Sequence, residues 1–461
     1  MEMTGEHKKH VAVFAFPFAS HPPLLLSVVR RLASAAPTVV FSFFSTHRTN
    51  QTLFPDTSCC GNIVSYDIHD GLPEGYLLPG KLHEDVNLFL AVAEEEFKRG
   101  VEAAEKDIGM KISCLMVDAF LWFSADLADE LNVPWVAFWT AGACSLSTHF
   151  YTDLIRQKYA QIKGSTGVED EVTNLIPGLL TVRLGDIQSG IIFGDLKSPF
   201  ATMAHKMAGV LPRATAIFIN SFQELDPDLT KNLSSVFNNF LSIGPFNLVS
   251  KQKSQSKADE FSCISWLENK KPGSVAYISF GTVCIPPPHE LVAIAEALEE
   301  TKTSFLWSLK KDSQKHLPSG FLERTAINGL GKVVPWAPQV QVLEHCAIGV
   351  FVTHGGWNSV LESIASGVPM ICRPFYGDQP INAWMVERVW GIAARVEGGS
   401  FTKLGTCRAL DSVLSIDGSS KGVKERTKAL KDLAHKAVEP NGSSYRNFKT
   451  LVDVVVGGAS S

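Results

Sequence analysis

"VTHGGWNSVLESIASG", Val352–Gly367, is the stretch whose reading decides the fold. Gly349, Val350 and Phe351 lead into it like the end of a buried strand, and a helix-like run begins just past the paired glycines. His354, Asn358, Ser359 and Glu362 therefore crowd one strand-to-helix corner. Backbone N–H groups at a helix start lack partners and carry partial positive charge, and glycine lets a ligand approach them, so such a corner can hold an anion. The same residues also suit an ordinary Gly-Gly turn with a capping Asn or Ser. Taken alone, the corner leaves both readings open.

On either side of it, strands and helices alternate. HVAVFAF (10–16), TVVFSFF (38–44), CLMVDAF (114–120), PWVAFW (134–139) and TAIFINS (215–221) read as buried parallel strands, separated by helix-like runs at 24–35 and 85–107. The polar stretch NLVSKQKSQSKADE (247–260) reads as a linker. Beyond it the alternation restarts with VAYISF (275–280), SFLWSL (304–309), KVVPW (332–336), GVFVTH (349–354) and VPMICRPF (368–375). This predicts an α/β chain of two Rossmann-like parallel-sheet domains facing across a cleft, residues 1–246 and 263–439, joined by a linker at 247–262. A last helix within 440–461 is expected to pack back on the first domain.

Composition narrows the class. A length of 461 residues exceeds one ordinary core, and 45% hydrophobic with 19% charged residues is usual for a globular chain. A formal net charge of -5 argues against a general nucleic-acid binder. No run reaches the roughly 18 apolar residues of a membrane span, and the first residues do not read as a signal peptide. Nine cysteines without metal-type spacing read as free thiols in a reducing compartment, so a cytoplasmic protein is expected. Asn50, Asn232 and Asn441 sit in N-x-[ST] triplets, which read as chance matches in that setting.

The ends of the strands carry the chemistry. Asn358 and Glu362 are four apart on one helix face, and a carboxylate one turn into such a helix is placed to accept from ribose hydroxyls. WAPQ (336–339) offers an indole for a base, and FYGDQ (375–379) offers Asp378 and Gln379 for vicinal hydroxyls. In the first half, His21 follows the first strand and Asp118 ends another, a base and its orienting carboxylate without a protein nucleophile. Each residue has an ordinary reading as core, cap or turn; together at successive strand ends they point to a nucleotide-sugar site.

From Trp336 to Gln379 the chain resembles, without a gap, the signature box of the plant secondary-product UDP-glycosyltransferases, two-domain enzymes of GT-B fold. HVAVFAFPFASH, DAFLWF, FWTAG, YISFGT and IGPFN look most like the flavonoid and anthocyanidin 3-O-glycosyltransferase branch. The resemblance implies that Trp336 stacks on uracil, Ala337 pairs with its edge through the backbone, and Gln339 and Glu362 hold the ribose. It implies Asn358 and Ser359 at the α-phosphate, His354 and Thr282 at the β-phosphate, and Thr140, Asp378 and Gln379 at the sugar, with Trp357 in the donor set. His21 and Asp118 are then the catalytic dyad, and Phe16, His83, Phe120, His149, Gln188, Phe200 and Tyr376 border the acceptor; Phe18 and Trp122 are further candidates for its aromatic wall. Gly355 stands where the family usually has Cys, and Tyr376 where this branch often has Phe.

The expected activity is inverting transfer of a sugar from a UDP-sugar to the 3-hydroxyl of a flavonol or anthocyanidin, with galactose or another phenol as the alternative. Gln379, where the family tends to carry Gln for glucose and His for galactose, points to glucose. A monomer without metal or other cofactor is expected. The one D-x-D string, Asp226-Pro227-Asp228, reads as the opening of a helix, not as a cation site. A nicotinamide enzyme is excluded because no G-x-G-x-x-G follows the first strand.

Overall fold

The computed structural model describes residues 9–55, 61–73, 76, 82–159, 168–249, 259–415 and 420–457. The first sheet holds β1 (Lys9–Phe14), β2 (Val39–Thr46), β3 (Ile63–Ile68), β4 (Cys114–Asp118), β5 (Trp135–Trp139), β8 (Ala216–Ile219) and β9 (Phe240–Ser242), in the order β3-β2-β1-β4-β5-β8-β9. A small antiparallel pair, β6 (Val172–Thr173) and β7 (Val182–Arg183), lies between β5 and β8 in the chain. The second sheet holds β10 (Val275–Ser279), β11 (Ser304–Ser308), β12 (Gly331–Val334), β13 (Ile348–Thr353), β14 (Met370–Cys372) and β15 (Ala393–Arg395), in the order β12-β11-β10-β13-β14-β15. All pairings in both large sheets are parallel. Strands covered on both faces read as continuous apolar runs, and β1, β2, β4, β5, β10 and β13 are buried along nearly their whole length.

Each sheet reverses its strand order once, between β1 and β4 and between β10 and β13. At such a point the connections leave in opposite directions and open a crevice at the carboxyl ends of the strands, where open α/β sheets bind ligands. His21 follows β1 and Asp118 ends β4; Thr282 and His354 follow β10 and β13. Both reversals thus carry residues singled out from the sequence.

Of the two large sheets, three strands went unread in the sequence, β3, β9 and β15, and all three are sheet edges. β3 is half-exposed along its length, and the other two have three residues each, too few for a period to show. The expected linker is also shorter than read. A helical turn, Phe246–Val249, enters it, and Asp259 at its far end accepts from the Cys263 and Ile264 N–H groups at 2.6 and 2.8 Å, capping the helix Cys263–Leu267. Residues 250–258 lie outside the described residues.

The helix Ser443–Gly457 lies against the first sheet. Leu451 and Val455 join the core beside β2 and β9, Asn447 donates to the Ser242 carbonyl at 2.9 Å, and Arg31 lies over the Phe448 ring. Among the described residues no helix is long and apolar enough to cross a membrane, and every cysteine is a free thiol.

Candidate active site

His21 is the first residue of the helix Pro22 and Pro23 open, His21–Ala35, and its imidazole reaches back to the end of β4. Nδ1 lies 2.8 Å from Asp118 Oδ2, and Asp118 Oδ1 accepts from the Phe120 N–H at 3.0 Å. A carboxylate only accepts, so Nδ1 is the ring nitrogen that donates to Asp118, and Nε2 is the one turned away from it. Aromatic rings surround it: Phe120 lies 4.8 Å and Phe16 5.2 Å from the imidazole, Phe18 packs on Phe16, and the half-exposed Phe200 meets Phe120. A flat apolar acceptor finds a wall here and a proton acceptor at its edge. Trp122 does not join this wall by the contacts it makes; its ring meets Phe123 and lies under the Lys206 ammonium.

His149 and Gln188 share a buried polar cluster. Gln188 Oε1 accepts from the Ser145 and Thr148 hydroxyls at 3.1 and 3.3 Å, and burial pushes the His149 imidazole down to about 4. Thr140 follows β5 and is half-buried. The side chain of His83 lies outside the described residues.

In the second half, Thr282, Trp336, Ala337 and Gln339 line a cavity of about 270 Å³ together with Tyr277 and Lys310. Gln339 Nε2 donates to Glu362 Oε2 at 2.7 Å and to Ser359 Oγ at 3.1 Å, while its Oε1 accepts from the Tyr277 hydroxyl at 3.2 Å. Burial raises the Glu362 carboxyl to about 7, against the opposing hydrogen bond from Gln339. Burial also lowers His354 to about 4, so its ring is neutral at neutral pH. The helix Trp357–Ser366 starts directly beyond Gly356, where a Cβ would lie 2.4 Å from His354 Nε2. Gly355 has φ +76°, a conformation that favours glycine, although a Cβ there would meet only ordinary contacts.

Asp378 accepts from Asn382 at 2.8 Å, and burial raises its carboxyl above the ordinary range. Gln379 is turned on its own loop: Oε1 accepts from the Phe375 and Tyr376 N–H groups at 2.8 and 3.2 Å, and Nε2 lies 3.5 Å from Cys284 Sγ. The Tyr376 hydroxyl meets the same thiol, so this residue, read from the sequence as an acceptor contact, stands on the second half's side of the cleft with its ring half-exposed.

The Trp357 side chain turns away from the anion corner. Its indole is buried between the halves, packed on Gly142, and donates to the Asn220 carbonyl at 2.7 Å. Only its backbone remains at the helix start for an anion. Asp226 of the D-x-D string does open a helix, Pro227–Val236, but it has a further part: Oδ1 accepts from the Trp390 indole of the other half at 2.9 Å. Arg395 and Asp186 pair bidentately across the same seam at 2.7 and 2.9 Å. Sequence reasoning missed Asn220, Asp186 and Arg395. Each partner across the seam lies over a hundred residues away, and no local pattern announces it.

Two parallel α/β units, a base–carboxylate pair at one reversal and a helix-start anion corner at the other, define a sugar-nucleotide transferase of GT-B type. A family model described as UDP-glucoronosyl and UDP-glucosyl transferase matches residues 93–440, and the chain belongs to this family. It is 54% identical to an anthocyanidin 3-O-galactosyltransferase of Actinidia chinensis var. chinensis, over 97% of each chain. It is 53% identical to an anthocyanidin 3-O-glucosyltransferase of Vitis vinifera, again over 97% of each. The crystal structure of a UDP-glucose:anthocyanidin 3-O-glucosyltransferase in complex with UDP superposes with TM-score 0.92 at 40% identity, covering 98% of this chain and 100% of that one.

Proposed function

We propose that this enzyme transfers glucose from UDP-glucose to the 3-hydroxyl of a flavonol or anthocyanidin, with inversion at the anomeric carbon. The observation that carries the reading is the His21–Asp118 pair at 2.8 Å within a wall of phenylalanines, opposite the helix-start corner. His21 Nε2 takes the proton of the acceptor hydroxyl, and Asp118 stabilises the imidazolium that forms. The freed oxygen attacks the anomeric carbon as the bond to UDP breaks, and configuration changes from α to β. The leaving diphosphate meets the N–H groups of the helix start, His354, Asn358 and Ser359. Trp336, Ala337, Gln339 and Glu362 bind the nucleoside, and Thr140, Asp378 and Gln379 the sugar.

No metal takes part in this reading. Neutral donors already face the diphosphate, and Asp226 is committed to Trp390. Glucose is favoured by Gln379, and relatives named for glucose and for galactose are almost equally similar to this chain. Steady-state kinetics with UDP-glucose and UDP-galactose on a panel of flavonols and anthocyanidins test the proposal. A higher kcat/KM with UDP-glucose and a 3-O-β-glucoside product are expected; equal or better use of UDP-galactose overturns the choice of sugar.

A further inference from the structure

Asn220 stands just beyond β8, in the acceptor half, and is 3% exposed. Three of its polar groups are engaged. Its carbonyl accepts from the Trp357 indole at 2.7 Å, its Oδ1 accepts from the Phe246 N–H at 2.9 Å, and its Nδ2 donates to Asn358 Oδ1 at 3.2 Å. The order of these bonds is dictated by chemistry. A backbone N–H can only donate, so the Asn220 atom facing Phe246 must be the amide oxygen. The nitrogen is then left toward Asn358, and an NH₂ group can only donate, so the Asn358 atom it meets must be oxygen. The remaining Asn358 nitrogen, 3.3 Å from the Ser20 hydroxyl, is the one left to face the cleft between the corner and His21.

An amide with its carbonyl toward a diphosphate repels it, and one with its NH₂ outward binds it. We propose that Asn220 is a positioning residue of the donor site: through Asn358 Oδ1 it fixes the amide so that NH₂ faces the diphosphate of UDP. This rests on the reading of that corner as the diphosphate site. The arrangement also makes the donor site depend on the two halves being docked, because the orienting group sits on the opposite side of the seam. Gly244 belongs to the device, since a Cβ there would lie 2.3 Å from Asn220 Oδ1.

A double-mutant cycle on the full-length enzyme, read by calorimetric titration with UDP and by steady-state kinetics, tests this. Asn220→Asp keeps the acceptor for the Phe246 N–H but offers Asn358 a second acceptor, which turns its NH₂ away from the diphosphate. It should weaken UDP roughly 10-fold or more and raise the donor KM alike, with acceptor KM little changed. Asn220→Ala, without added charge, should cost about 5-fold and carries the cycle if the first variant does not fold. In an Asn358→Ala background either substitution should have little further effect on UDP binding. An undiminished effect in that background overturns the proposal, as does wild-type UDP affinity in the Asn220 variants. If Asn358→Ala itself leaves UDP affinity unchanged, the diphosphate reading of the corner falls, and the proposal with it.

Discussion

The two sides of the cleft are prepared differently. In the first half the reacting groups are already wired for their task, with Asp118 on His21 Nδ1 and the opposite ring nitrogen left to a substrate. In the second half the polar groups are occupied with one another: Gln339 with Glu362 and Ser359, Asp378 with Asn382, Gln379 with its own loop. A base that keeps its orientation needs no rearrangement when the acceptor enters. A donor site whose groups are mutually satisfied must exchange partners, so UDP-sugar binding is where protons and hydrogen bonds move.

The largest expected break in this comparison is His21→Ala. Loss of a general base typically slows turnover about 10²–10⁴-fold. UDP affinity should stay near wild type, because the nucleotide site lies in the other half. Near-normal kcat would remove His21 from the chemistry, and a large loss of UDP binding would show that His21 itself also supports the nucleotide site.

Glu362 sharpens the other side. Burial holds its carboxyl near 7, and in the proposed donor site ribose hydroxyls donating to it would favour the ionised form. Donor binding should therefore release protons around neutral pH and weaken as pH falls below about 7. Glu362→Gln should raise the donor KM roughly 10-fold or more, more than it lowers kcat, since hydrogen bonds to a charged group are worth about 1.5–3 kcal/mol. Calorimetry in buffers of differing ionisation enthalpy measures the proton release. A donor KM that stays unchanged from about one pH unit below neutral to about one unit above it would take the carboxylate out of the ribose site.

The smallest effect concerns the seam. Burial raises Asp226 to about 6, above the ordinary carboxylate value of 3.8. The folded state thus favours the protonated form, so its contribution is most favourable below the unfolded value and is lost as pH rises through about 6. Asn keeps an acceptor for the Trp390 indole and cannot ionise, so Asp226→Asn should be more stable than wild type above that window, by about 1–3 kcal/mol. The two should converge at low pH; thermal unfolding across pH reads this out. Excess EDTA should leave kcat of both proteins unchanged, and loss of activity restored by Mg²⁺ or Mn²⁺ would reopen the metal-free reading.

Much of the fold was legible because its strands are covered on both faces. HVAVFAF and GVFVTH cannot be surface strands, and their alternation with helices admits few topologies. His354, Asn358, Ser359 and Glu362 were legible as a group because one strand-to-helix corner holds them within a few residues. The sheet edges were not, for an edge strand as short as AAR in β15 carries no period.

By itself, the sequence determined the local chemistry: which residues end strands, which glycines free a helix start, and that a histidine and a carboxylate are available at β1 and β4. Only the tertiary structure decided which of them meet. His21 and Asp118, ninety-seven residues apart, pair at 2.8 Å because β1 and β4 are neighbours at the strand reversal. The Trp357 indole leaves the helix start for the Asn220 carbonyl across the seam, and Asp226 found Trp390 in the same way. Burial, which no residue carries in its own identity, moved Glu362 toward 7 and His354 toward 4. Local pattern follows from neighbours along the chain, whereas desolvation and long-range pairing follow from what the fold packs around each group.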